Sequence, residues 1–371
     1  MFTFAIHMKH PISIDAGIHS VVVTEDIARP LSSIFAAEGQ DIGHAYVLMD
    51  EHTRLHCFDR LSQIQGVMFK PIVIGAGEQY KHMETVSYVC DMLLDKNVGR
   101  NDILINLGGG VVCDIGGFVA SIYKRGIRFI NMPTSLLAMT DAAIGGKTGV
   151  DMSGYKNMVG TFAKPETVIV DLNFLRSLPE SEWRNGMVEA IKHALIGDAK
   201  LWEKIIRADQ SLSYDQRCDM QSWELVCQSI AVKASIVKMD PYEKSIRRYL
   251  NFGHTVGHAL ESWHLLHDDR IIPHGEAVAI GLVCESFISQ KICGLDMETV
   301  IQIKAVVKQL FPNATINPAS LNFLLSAMKK DKKSVNGYIP CVVLHEIGKV
   351  DFMQEVDPDL FLESFEYFNH F

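Results

Sequence analysis

Side chains that could do chemistry fall into three groups along this 371-residue chain. His254 and His258 stand four positions apart, just inside a stretch of helical spacing that begins near Gly253, so both imidazoles share one helix face. An isolated HxxxH pair is more often a packing arrangement than a metal site, and the HExxH zincin pattern is absent. A third ligand from a distant segment would convert the pair into a metal centre. Glu189, three positions before Lys192 on another helical stretch, and His274, which opens the run Gly275-Glu276-Ala277-Val278, are the candidates. A mixed His/carboxylate set of this kind leaves a coordination position open, as catalytic zinc requires.

The second group is glycine-rich. Residues 103–107 read as a strand feeding Gly108-Gly109-Gly110 and then an apolar helix. Such a turn suits a pyrophosphate, because amide N–H groups point outward, the helix dipole favours an anion, and missing side chains allow close approach. The spacing is not GxGxxG, and a tight turn alone would also use these glycines. Gly75-Ala76-Gly77-Glu78 is a second turn of the same kind. The third group is cationic. Gly145-Gly146-Lys147-Thr148 looks like the end of a P-loop, but GxxxxGK[ST] needs glycine where Asp141 stands, which excludes a Walker loop. Lys147 and Lys156 then remain in a glycine-rich stretch that reads as a packed loop. With Arg125, Lys192, Lys233, Arg247 and Lys332, in a chain of net charge −9, they call for an anionic partner carrying phosphate and carboxylate groups.

Two kinds of scaffold must position these residues. Short β-forming runs at 45–49, 71–74, 102–106, 129–132 and 167–170 alternate with helical stretches such as 84–96. That alternation predicts an α/β domain with a largely parallel sheet over residues 1–172. Residues 171–179 read as a connector. Beyond it, segments of helical period dominate (189–195, 225–238, 253–263, 275–291), with a late strand near 342–344, so 173–371 is predicted to be mostly helical. Hydrophobic residues make up 48% of the chain and charged residues 21%, enough apolar material for a sizeable core and incompatible with a disordered or fibrous chain. The acidic balance argues against general nucleic-acid or anionic-membrane binding. Eight cysteines without a CxxC pair read as reduced thiols in a cytoplasmic protein. The first residues lack the pattern of a secretion signal, and no apolar run approaches the ~18 residues of a membrane span.

Six segments, in order, carry a family resemblance: GGGVVCDIGGFVASIYKRG from Gly108, PTSLLAMTDAAIGGKTGVD from Pro133, GYKNMVGTF from Gly154, GMVEAIKHALI from Gly186, RRYLNFGHTVGHALES from Arg247 and HGEAVAIGL from His274. The chain resembles the 3-dehydroquinate synthases, within the sugar-phosphate cyclases, from about residue 45 to 332 and most densely over 108–281. The resemblance implies an N-terminal α/β nucleotide-binding domain that holds NAD, a mostly α-helical C-terminal metal-binding domain, and an active site between them. It implies zinc or cobalt on Glu189, His254 and His274. It places substrate chemistry on Arg125, Asp141, Lys147, Lys156, Asn157, Lys192, Lys233, Glu243, Arg247, Asn251, His258 and Lys332. NAD contacts would come from Asp50, Glu78, Lys81, Gly109, Gly110, Asp114, Thr134, Ser135, Phe174, Ser177, Leu178 and Glu182, with Asp141, Lys147 and Lys156 shared.

The implied reaction converts the sugar acid phosphate 3-deoxy-D-arabino-heptulosonate 7-phosphate (DAHP) into 3-dehydroquinate. Transient oxidation by NAD makes a neighbouring C–H acidic, phosphate leaves, the hydride returns, and ring opening and aldol closure follow. A cytoplasmic homodimer with a small-molecule substrate, and neither nucleic acid nor membrane as partner, completes the implied picture. Several positions depart from the family pattern. Met49-Asp50-Glu51-His52 stands where relatives often carry Thr-Asp and a small polar residue, and Ser245 replaces glycine in the run from Asp240 to Arg247. The stretch between His258 and His274 is longer than usual, which leaves His267 as a rival ligand. Lys332 is chosen over Lys330 and Lys333 from the Asp-Lys-Lys pattern at Asp331. A valiolone- or inosose-type cyclase is the nearest alternative, against which Arg247, Asn251, His258 and Lys332 keep the dehydroquinate-type identity. An iron-type NAD-dependent alcohol or glycerol dehydrogenase would lack Lys147, Lys156 and Lys192.

Overall fold

The computed structural model describes residues 11–36, 44–152, 155–207, 219–267, 271–331 and 337–370. Its contacts define two compact units, residues 1–183 with 214–242 and residues 184–213 with 243–371. The first is built on β1 (Ile12–Asp15), β2 (Ser20–Val23), β3 (His44–Asp50), β4 (Met68–Ile74), β5 (Ile103–Gly108), β6 (Arg128–Pro133), β7 (Lys147–Met152), β8 (Tyr155–Phe162) and β9 (Thr167–Val170). Seven of these form one sheet in the order β1-β2-β9-β6-β5-β3-β4. Every neighbouring pair is parallel except β1–β2. The central strands β5 and β9 are buried at every position. This is why their sequences are mostly apolar rather than alternating, with Asn106 and Thr167 as buried polar exceptions, since a parallel sheet is covered on both faces.

Helices α1 (Ala28–Ala36), α2 (Glu51–His56), α3 (Phe58–Ser62), α4 (Met83–Asp95) and α5 (Gly110–Ile122) accompany the sheet. Val86, Val89 and Leu93 of α4 recur at helical spacing and join Ile115, Phe118 and Val119 of α5 in one apolar core with Leu104 and Phe129 of the sheet. The register pairs Gly108 with Pro133 and Asp50 with Ile74. The strands therefore end level, and the turns that follow them open at the carboxyl edge of the sheet, where ligands of open α/β sheets bind.

The stretch around Lys147 and Lys156, expected as a packed loop, is an antiparallel hairpin of β7 and β8. Gly149 faces Gly160 across it, and a Cβ added at Gly160 would overlap the Thr148 carbonyl. The glycines that suggested a loop instead let two backbones pack closely.

The second unit carries the remainder of α6 (Glu180–Gly197), then α7 (Ala199–Arg207), α9 (His254–His267), α10 (His274–Cys293), α11 (Met297–Leu310), α12 (Leu321–Asp331) and α13 (Pro358–Asn369). A two-stranded sheet of β10 (Ile339–Glu346) and β11 (Lys349–Val356) completes it, while α8 (Met220–Met239) belongs to the first unit. Residues Gly275 to Ser289 of α10 are all buried. Most of their side chains are small or apolar and surround the whole helix, as a central helix requires, with Glu276 and Glu285 as buried carboxylates. Glycines set how closely α9 approaches α10. A Cβ at Gly257 would stand 3.2 Å from the Val278 Cα, and one at Gly281 would land on the Gly253 carbonyl. Gly281→Ala is therefore expected to destabilise the protein by about 2 kcal/mol or more through overpacking. A thermal melt that matches the wild type would show that the helices can separate without cost.

Candidate active site

Glu189 lies on α6, His254 in the first turn of α9 and His274 at the start of α10. Their ligand atoms lie within 4.8 Å of one another. The Nε2 atoms of His254 and His274 each stand 3.7 Å from Glu189 Oε1. His254 Nδ1 is 3.2 Å from the Phe252 carbonyl, and His274 Nδ1 is 3.3 Å from Glu261 Oε1. A carbonyl or carboxylate oxygen only accepts, so Nδ1 carries a proton in both rings, and Nε2 is the atom of each ring that faces Glu189. Two imidazole nitrogens and a carboxylate oxygen with outer partners already in place fit a divalent transition ion.

The electrostatics agree with that donor set. Glu189 is fully buried and pairs with the almost fully buried Lys192 one turn on. Burial, and then the Lys192 charge, hold the His254 pKa well below the ordinary imidazole value. At His274 burial opposes protonation, but Glu261 and Glu189 outweigh it and push the pKa up to about 10. A pocket negative enough to keep a proton on the partly buried His274 imidazole also favours a metal cation.

Of the HxxxH pair, only His254 joins this group. The His258 ring lies edge-on to His254, with centroids 5.3 Å apart, and is not part of the converging set. His267, the rival, is exposed and stacks on Trp263 with centroids 4.1 Å apart, so it does not compete. Also in this unit, Arg247 is buried on the 3-10 helix Ile246–Asn251, and Asn251 Nδ2 donates to Glu243 Oε1 at 3.2 Å. Ser245, where the family pattern has glycine, takes φ −144° and ψ −109°, away from the left-handed region that favours glycine. The left-handed position of this turn falls on Glu243 instead.

In the first unit, Lys81 Nζ donates to Asn157 Oδ1 at 2.6 Å and pairs with Asp114 Oδ2 at 2.7 Å. Burial opposes the Lys81 charge, but Asp114 and Glu78 outweigh it and hold its pKa above the usual lysine value. Burial pushes the Asp114 carboxyl up against the pull of Lys81. Lys156 Nζ lies 3.9 Å from Glu78 Oε1. Lys147 is exposed at the start of β7. Lys233 of α8 pairs with Asp141, which sits in a single π-helical turn, Ala138–Ala142. Such turns recur at functional sites.

Gly109 caps α5, and a Cβ there would come 3.4 Å from Ser135 Oγ. The Thr134 amide donates to the Gly108 carbonyl at 3.0 Å, which holds Thr134 and Ser135 against the glycine turn. Asp50 accepts from the Thr53 amide at 2.7 Å and caps α2, with Glu51 exposed behind it. Phe174, Ser177 and Leu178 follow β9 on and just after the 3-10 helix Leu172–Ser177, and Glu182 is exposed in the first turn of α6. Arg125 is exposed and left-handed, with φ +66°. Lys332 lies outside the described residues.

Sequence reasoning missed Glu261, the carboxylate behind His274. Its signal was available, because it stands two turns beyond His254 as the one acidic residue in HTVGHALES. It also missed that Arg125, Asn157 and Glu243 all adopt positive φ. Strain of that kind gathers at functional sites but leaves little trace in residue type.

Residues 71–185 match the family model for the 3-dehydroquinate synthase N-terminal region and residues 186–334 the one for its C-terminal region. A 3-dehydroquinate synthase from Parabacteroides distasonis is 38% identical over 350 residues, covering 94% of this chain and 97% of that protein. Among solved structures, a 2-epi-5-epi-valiolone synthase from Streptomyces hygroscopicus subsp. jinggangensis, with NAD+ and Zn2+ bound, aligns at a TM-score of 0.83 and 26% identity over 98% of this chain and 99% of that one. A 2-deoxy-scyllo-inosose synthase complexed with carbaglucose-6-phosphate, NAD+ and Co2+ aligns at 0.80 and 20% identity over 96% and 99%, a likeness of fold alone. An α/β sheet unit and a mostly helical unit thus define the fold shared with these sugar-phosphate cyclases. Within that class, the chain belongs to the 3-dehydroquinate synthase family.

The second carboxylate at His274 can be tested directly. In metal-free protein, Glu261→Gln should lower the His274 pKa from about 10 by about one unit or more, since a neutral amide no longer favours the imidazolium. An imidazole titration followed by NMR that stays at the wild-type midpoint would remove Glu261 from that role.

Proposed function

We propose that this chain is a 3-dehydroquinate synthase, a carbon–oxygen lyase that converts DAHP into 3-dehydroquinate and inorganic phosphate. The observation that carries this reading is the convergence of Glu189, His254 and His274, with Nε2 of both imidazoles 3.7 Å from one carboxylate oxygen, in a chain of this family. When bound, NAD supplies reversible hydride transfer and zinc or cobalt lowers the pKa of a coordinated hydroxyl.

The chain's own residues supply the rest. Glu189, His254 and His274 hold the ion. Gly109 and Gly110 let the α5 amides approach a pyrophosphate, and Asp50, Glu78, Lys81, Asp114, Thr134, Ser135, Phe174, Ser177, Leu178 and Glu182 contribute to the nucleotide site. Arg125, Lys147, Lys156, Lys233, Arg247 and Lys332 bind phosphate and carboxylate and stabilise developing anions. Asp141 orients the Lys233 ammonium, and Glu243 orients the Asn251 amide. Asn157, tied to Lys81, and Lys192, tied to Glu189, are fixed for contact with substrate hydroxyls. His258 orients the phosphate or relays a proton through its ring nitrogen. In this reading residues 1–172 serve the cofactor and 173–371 the ion and substrate, and the enzyme works as a cytoplasmic homodimer. The free thiols at seven described cysteines support that compartment.

The test is incubation with DAHP, a catalytic amount of NAD+ and Zn2+ or Co2+. Phosphate and dehydroquinate should appear together without net NADH. Phosphate released only from a sugar phosphate lacking the carboxylate would place the chain with the valiolone- or inosose-type cyclases, and NADH accumulating from simple alcohols would make it a dehydrogenase. Lys147→Ala should lower turnover by about 10²-fold or more while the circular dichroism spectrum is kept. Turnover at the wild-type rate would take Lys147 out of the site.

A further inference from the structure

We infer that Glu285 is a positioning residue that sets the geometry of the metal centre. It resides on α10, about three helical turns beyond His274, and its side chain is fully buried. Its carboxylate does not face the ligand atoms. Oε2 accepts from the Gly253 amide at 2.8 Å, and Oε1 accepts from the amides of Thr255 at 3.0 Å and Val256 at 3.3 Å. These donors bracket His254.

A helix start is usually capped by the side chain of its own N-cap residue. Here Gly253 precedes α9 with φ +81°, and a Cβ there would press on the Leu282 side chain at 2.8 Å. The local residue thus offers no cap, and α10 provides it. The consequence reaches beyond helix stability, because the helix that caps α9 is the one that bears His274. Every rotation or slide of α9 against α10 would break charge-assisted bonds immediately beside a ligand.

Two other bonds close the arrangement. Asn185, one turn before Glu189 on α6, accepts through Oδ1 from the Gly275 amide, next to His274. Glu261 of α9 meets His274 Nδ1. Each ligand-bearing helix is thereby fastened to α10 or by it at the point where its ligand emerges. The far side of α10 is fixed as well, since Ser289 Oγ donates to the Glu285 carbonyl at 2.6 Å and accepts from the Leu344 amide of β10 at 2.9 Å.

The inference rests on the reading of Glu189, His254 and His274 as ligands, and the experiment separates the two. Co2+ is titrated into metal-free protein, and both affinity and the visible absorption of the bound ion are recorded. If wild type takes up no Co2+, or keeps it unchanged in His254→Ala, the ligand assignment itself fails. If wild type binds and His254→Ala does not, the full-length Glu285→Gln and Glu285→Asp variants decide the positioning role. The first replaces a charged acceptor by an amide whose NH2 opposes the α9 amides, and the second withdraws the carboxylate by one methylene. Both should bind Co2+ about 10–100-fold more weakly, with a changed absorption band that reports altered ligand geometry. A folded variant with wild-type affinity and spectrum, even one that melts at lower temperature, would reduce Glu285 to a helix cap and overturn the proposal. Failure of both variants to fold would overturn it too, by making the carboxylate a requirement of the fold rather than of the metal centre.

Discussion

A carboxylate with no access to water organises the second unit. Glu189 is wholly enclosed, and an enclosed anion is tolerated only where positive charge and hydrogen-bond donors surround it. Lys192 supplies one charge from the same helix, and the imidazoles of His254 and His274 approach from two others. The opposed displacements of the two histidines follow from this arrangement. Burial, and then the Lys192 charge, make His254 resist a proton, whereas His274, backed by a second carboxylate, keeps one. Glu189 therefore determines where α9 and α10 must begin, and the helices must approach closely enough for both rings to reach it. Gly253, Gly257 and Gly281 permit that approach by leaving out the side chains that would hold the helices apart.

The first unit solves a different problem with similar economy. Parallel strands that end in register present their turns along one edge, and α5 begins where glycine lets its amides face outward. Lys81 is nearly enclosed there, yet Asp114 and Asn157 hold its ammonium group. Asn157 comes from the β7–β8 hairpin, so the hairpin is fastened to the turn following β4 through a side chain whose own backbone is left-handed.

Much of this was legible from residue patterns. The parallel strands announce themselves as apolar runs because both sheet faces are covered, and the helices around His254 and His274 are long enough for their period to stand out. The motif segments also contained Glu189, His254 and His274, the three residues that the structure brings together. Legibility failed where short elements or long-range contacts decide. The glycines near Lys147 looked like a loop because glycine marks both turns and close backbone pairing, and only the partner strand distinguishes them. His258 and His254 are equivalent by spacing, but the position of Glu189 selects one of them. The roles of Glu261 and Asn185 depend on which helix lies opposite, which no single stretch of sequence encodes.

The order in which the chain visits its units has a consequence for biosynthesis. Glu189 enters the second unit in the segment 184–213, the chain then returns to the first unit for 214–242, and the histidines arrive only after residue 243. A nascent polypeptide leaving the ribosome carries Glu189 well before His254 and His274 can meet it, so the three-residue cluster cannot assemble until His274 has emerged. For the same reason no single cut in the gene yields either unit whole, and a split version of this protein would have to be reassembled from interleaved fragments.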